Sequence, residues 1–185
     1  MIYLRDYELT IPMEELQILQ DMVGSTLDTI LCRAMDYNMK AEMYLLDFHV
    51  YLSIGSSYVQ LAMDWRETED GDDYWRVVVK KNSFPSLIPY EIERNGSVSF
   101  LGDKSSDITV FSKIEKVEVY SAELKFEDER QHYDSILIVT LANNKRLCFT
   151  NSIPDLVQLT WTEEKIKELT NNCFLKHSFT NIEGA

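Results

Sequence analysis

Alternation of apolar and polar residues at a period of two, in one run after another, is the feature that most restricts how this chain can fold. Val59, Leu61, Met63 and Trp65 alternate with Tyr58, Gln60 and Asp64. Trp75, Val77 and Val79 alternate with Tyr74, Arg76 and Lys80, and Leu46, Phe48, Val50 and Leu52 with Asp47, His49 and Tyr51. A strand sends successive side chains to opposite faces, so each run reads as a strand with one buried and one polar face. Gly55-Ser56 joins the first pair, and the acidic stretch 67–73 joins the second. The expectation is a three-stranded antiparallel meander.

Strands continue in the second half. Ile114, Val117 and Val119 mark one whose alternation slips, as at a bulge. Ser135 to Ala142 is apolar on both faces and predicts a central strand covered on both sides. Asn143-Asn144 turns it back into Lys145–Thr150, and Asn95-Gly96 joins Tyr90–Arg94 to Ser97–Leu101 as a hairpin. Pro85 and Pro89 interrupt the segment between. Two helices frame the strands. The first is expected over 12–23, with Thr10 as cap, Met13, Leu16, Leu19 and Val23 as its apolar stripe, and Gly24 ending it. The second starts near Thr162, turns Ile166 and Leu169 inward and ends at Asn171-Asn172. From Cys173 to Ala185 the tail reads as ordered only near Phe174.

These elements define a single α+β domain over 1–185, mainly antiparallel sheet in a meander and hairpins, with an N-terminal and a C-terminal helix. Strand starts at Leu27, Leu45 and Tyr58 return at Lys113, Asp134 and Lys145. That spacing hints at two similar strand-hairpin halves, about 25–82 and 111–161, although meanders also repeat themselves without duplication. Phe48, Val50, Leu61, Met63, Trp75, Val77, Leu137, Val139 and Leu141 are the expected core.

Charge narrows the partners. Eighteen lysines and arginines face 31 aspartates and glutamates, a net charge of −13. Such a surface repels nucleic-acid phosphates and anionic lipid and suits a basic protein. No apolar run approaches the ~20 residues of a membrane-spanning helix. The opening Met1-Ile2-Tyr3-Leu4-Arg5-Asp6 lacks the basic head and apolar run of a secretory signal. Cys32, Cys148 and Cys173 are odd in number and far apart, which fits neither a disulfide framework nor a zinc site. The expected location is the cytoplasm.

Motifs for chemistry are scarce. Six glycines do not cluster, so no phosphate-cradling loop is written, and H-E-x-x-H is absent. One polar sheet face, carrying Asp47, His49, Tyr51 and Arg76, could serve a small enzyme with His49 as general base and Asp47 orienting it. No nucleophile completes that set, and a hydrated face with ordinary cross-strand pairs explains the same residues. The stretch Glu67, Glu69, Asp70, Asp72, Asp73 places five carboxylates in seven residues around Gly71, out of order for a calcium loop. It reads as a turn projecting into water, compensated only by Arg66. With Tyr58 and Tyr74 nearby it is also a candidate docking surface for a basic protein. No catalytic residue, metal or cofactor is assigned. In type, a small, acidic, strand-rich and motif-poor chain resembles immunity and inhibitor proteins. The leading expectation is a non-catalytic protein-binding domain neutralising a basic partner, with the small enzyme and a self-associating structural subunit as rivals.

Overall fold

The computed structural model describes residues 5–152 and 156–181. In chain order the elements are β1 (Arg5–Leu9), α1 (Met13–Met22), β2 (Thr26–Cys32), β3 (Met35–Asn38), β4 (Met43–Leu46), β5 (Val50–Ile54), β6 (Ser57–Glu67), β7 (Asp73–Asn82), β8 (Tyr90–Ile92), β9 (Val98–Phe100), β10 (Ser106–Lys125), β11 (Glu129–Leu141), β12 (Arg146–Ser152), β13 (Leu156–Thr160), α2 (Glu163–Thr170) and β14 (Cys173–Thr180). Antiparallel sheet dominates, as the alternation requires. The tail 173–180, expected to fray beyond Phe174, is a strand paired with β10; residues 182–185 lie outside the described residues.

Hydrogen bonding runs through one ladder in the order β3-β4-β13-β12-β11-β10-β2-β5-β6-β7, with β1 beside β11 and β14 beside β10. The ladder is not closed. The 20-residue strand β10 is shared by two sheets. Its first part, from Ser106 to Lys113, pairs with β2, and its second part, from Ile114 to Lys125, pairs with β11. At the changeover a bulge separates Thr109 from Ser112, and Phe111 within it has φ +46. The extra residue bends the strand and lets one sheet fold over the other.

The space between the sheets is the main core. Ile30, Leu52, Leu61 and Val77 from one side share a cluster with Val117, Val119, Leu137 and Phe149 from the other. Leu16, Leu19 and Met22 of α1 join the same cluster. Each such side chain contributes about 1.5–3 kcal/mol by leaving water. The outer faces are covered as well. Ile166 of α2 packs on Ile136, Ile138 and Cys148, which is why β11 is apolar on both sides. Ile88, from the connection after β7, packs on Leu31 and Tyr51 of the other sheet.

Several expectations need correction. Helix α1 starts at Met13 with Pro12 at the cap, and Thr10 makes no cap. Its buried face is Glu15, Leu16, Leu19 and Met22, leaving Met13 77 % exposed. The run from Leu45 to Ser53 is not one strand. The chain leaves β4 at Leu46 and enters β5, in the other sheet, at Val50. Phe48 lies in that crossing and is 48 % exposed instead of buried. Trp75 is half-buried, while Val50, Leu61, Met63, Val77, Leu137, Val139 and Leu141 are buried.

A buried carboxylate ties the N-terminal segment down. Asp134, fully buried at an irregularity between β10 and β11, accepts the Ile11 backbone N–H at 2.7 Å and the Ser121 hydroxyl. Lys176 Nζ of β14 neutralises it at 3.1 Å. A buried charge is tolerated when paired and hydrogen-bonded in this way.

Candidate functional site

The acidic turn connects β6 to β7, the last pair being Glu67 opposite Asp73. Thr68 N–H donates to Asp72 C=O at 2.9 Å, and Gly71 N–H donates to Thr68 C=O at 3.1 Å. Gly71 has φ +89, a value that glycine adopts without steric cost. The buried Thr68 hydroxyl accepts Asp72 N–H at 3.2 Å. This closing pair, tight turn and positive-φ residue recur in two other hairpins. Glu93 and Ser97 close one around Gly96, and Leu141 and Lys145 close the other around Asn144. The Asn95-Gly96 and Asn143-Asn144 signals therefore mark real turns, but of the three-residue kind, with only the second member of each pair at positive φ.

The acidic turn is exposed, as expected, but it is tethered. Arg5 of β1 reaches it, its guanidinium lying 3.4 Å from Glu69 Oε2, bonded to Asp70, and 2.8 Å from Asp128 Oδ2. The hydrogen bond to Asp70 is the main influence raising the Arg5 pKa, with Asp128 adding to it. Tyr7 accepts the Glu69 N–H through its hydroxyl at 3.4 Å. Arg66, the expected compensating charge, pairs instead with Asp64 at 3.1 Å. Three segments thus meet at one end of the molecule: β1, the β6–β7 turn and the β10–β11 turn. Beneath them Glu129 and Gln131 are buried, joined by a 2.9 Å hydrogen bond.

Sequence reading found the turn but not Arg5, Tyr7, Asp128 and Glu129. These come together because β1 runs parallel to β11, with Arg5 opposite Glu129. The only local trace was the weak alternation of Arg5, Tyr7 and Leu9 against Asp6 and Glu8.

The remaining candidates are dispersed. Tyr74 is buried against Tyr7 and Tyr133, which removes it from any contact surface of the folded chain. Tyr58 is half-buried beside the Leu31–Tyr51–Ile88 cluster. Asp47 and His49 sit in the crossing between sheets, not on a strand face. His49 Nδ1 lies 3.0 Å from Gln60 Nε2, while Asp47 accepts the Phe48 N–H and faces Arg33 at 3.9 Å. Tyr51 is 1 % exposed. Arg76 belongs to another neighbourhood, paired with Glu15 at 2.8 Å and Asp64 at 3.7 Å. Burial pushes the Cys32 thiol up to about 11 and Cys148 to about 12, and raises Cys173 as well, so none is poised as a nucleophile. Among the described residues no group of three or more His, Cys, Asp or Glu side chains is placed to hold a metal ion, and no helix is long and apolar enough to cross a membrane. Comparison with models of known families, with curated proteins and with solved structures found no match.

Proposed function

We propose that the chain is a non-catalytic protein-binding domain, of immunity or inhibitor type, whose acidic end engages a basic partner in the cytoplasm. The observation that carries this reading is the gathering by Arg5 of Glu69, Asp70 and Asp128 from separate turns. One cation holds several carboxylates in place without cancelling their field, so an ordered patch of negative charge is offered to a partner. Order matters because a pre-set turn loses little conformational freedom on binding. Glu67, Asp72 and Asp73 extend the same patch, and the net charge of −13 adds long-range attraction.

Rim charges act chiefly on the rate of encounter. Replacing Asp70, Asp72 and Asp73 by Asn should slow association with a partner captured from native lysate by roughly tenfold at low salt and flatten its salt dependence. Circular dichroism should be unchanged, since Asp70 and Asp72 are exposed and Asp73 is only half-buried at the start of β7. An unchanged association rate would leave the acidic end with solubility as its only role.

A further inference from the structure

At the β3 end of the ladder, Tyr37 of β3 stands opposite Tyr44 of β4. Their ring centroids are 4.7 Å apart, and Tyr44 lies 4.8 Å from Trp161. Lys145 Nζ sits over the Trp161 ring, 4.9 Å from its centroid. The order is therefore ammonium, indole, phenol, phenol, with the indole and first phenol tilted by 30° and the two phenols by 51°, and the row stops at Tyr37, which is 46 % exposed.

Open depressions of about 330 and 420 Å³ adjoin the tyrosine pair. The first is bounded by Glu42, Thr160, Trp161 and Thr162, the second by Met35, Asp36, Ser106 and Asp107. Either is large enough to admit one long side chain. Their walls supply three exposed carboxylates, Asp36, Glu42 and Asp107, and no lysine, arginine or histidine. Glu42 is also held at φ +54, its carbonyl fixed by the Thr160 hydroxyl at 3.2 Å. A non-glycine residue in that region is strained, and strain persists where surrounding structure imposes it.

We propose that the second depression, a groove bordered by Asp36 and Asp107, binds an arginine side chain of a partner protein, its guanidinium stacked on Tyr37 and paired with those carboxylates. Aromatic faces attract cations through the negative face of the ring, and Trp161 already does so with Lys145. The groove adds a net excess of negative charge at the other end, although Asp36 also accepts the Tyr37 N–H at 2.8 Å. Arginine fits better than lysine because a planar guanidinium lies flat on a ring while its fork meets a carboxylate. A neutral sugar or aromatic ring would leave this negative charge unanswered. Asp107 lies near the start of β10 and Lys125 at its far end, beside the β10–β11 turn, so the groove is distinct from the acidic end and does not depend on the reading given to it.

The test is a titration of the full chain with N-acetyl-arginine methylamide, followed by NMR shifts of the Trp161 indole and the Tyr37 and Tyr44 rings. Saturable millimolar binding is expected at these rings. It should weaken by about two- to fivefold in Tyr37→Ala, as loss of an exposed cation–π contact implies. The double variant Asp36→Asn with Asp107→Asn changes only exposed side chains, should keep the fold, and should weaken binding similarly. Asp70→Asn at the acidic turn should leave it unaffected. Equal shifts with the uncharged citrulline analogue, shifts confined to the acidic end, or affinity indifferent to the double asparagine variant would each overturn the proposal.

Discussion

Phe111 carries an aromatic side chain 77 % exposed to water on a backbone at φ +46. A bulky residue there meets its own carbonyl, at a cost of roughly 1–2 kcal/mol, whereas glycine meets nothing. The bulge needs the angle, because it lets β10 pass from one sheet to the other. Phe111→Gly should therefore raise stability by about 1 kcal/mol, read as a higher denaturant midpoint with an unchanged slope. A lower midpoint would mean that the exposed ring makes stabilising contacts after all. Asn144 at φ +62 meets the same requirement more cheaply, since a short polar side chain tolerates this region.

Among the described residues β7 ends the ladder, and a strand edge invites pairing with another chain. Helix α1 guards it. The Glu15 carboxylate, projecting from the buried face of the helix, accepts Val79 N–H at 2.7 Å and Arg76 at 2.8 Å. A side chain thus occupies a position that a neighbouring strand would otherwise fill. Glu15→Ala leaves a buried N–H and a half-buried guanidinium without that partner, and should cost about 2 kcal/mol of unfolding free energy. Glu15→Gln keeps an acceptor for Val79 and should cost less. Equal losses in the two variants would show that helix packing, not the edge hydrogen bond, is what matters. This role also explains why a glutamate lies on a helical face otherwise built of Leu16, Leu19 and Met22.

Across the whole molecule the buried thiols couple stability to alkaline pH. Folding raises Cys32 from 9.0 to about 11 and Cys148 from 9.0 to about 12, in both cases chiefly by burial. Unfolded thiols lose their protons first, so above pH 9 the unfolded state binds fewer protons and stability falls as pH rises. The contribution is complete below pH 9 and declines through the window up to about 11 for Cys32 and 12 for Cys148. Urea unfolding between pH 8 and 11 should show this decline, and Cys32→Ala should make it shallower while lowering stability at neutral pH. A slope identical in the variant would assign the alkaline loss to other groups. The two covered outer faces belong to this scale too. One buries Tyr51 beneath Ile88 and the other buries Cys148 beneath Ile166, so the outer side of each sheet also becomes interior.

Period-two alternation was enough to place β6 and β7, and an apolar run placed the C-terminal part of β11, because both patterns are local and each strand obeys its own. The Asn-Gly and Asn-Asn turns were legible for the same reason, since a positive φ is demanded of one residue by its own backbone. What local pattern could not show was which sheet a strand joins. Leu46 to Leu52 keeps perfect alternation, yet the chain changes sheets at Asp47–His49, so the apparent polar face of Asp47, His49 and Tyr51 is never assembled. The acidic turn was visible as composition, but its tether was not, because Arg5 reaches it through a parallel pairing of β1 with β11. Composition and alternation act between neighbours in sequence and were settled there. Partnership between distant strands is decided by burial of shared surface, and only the tertiary structure brings those surfaces together.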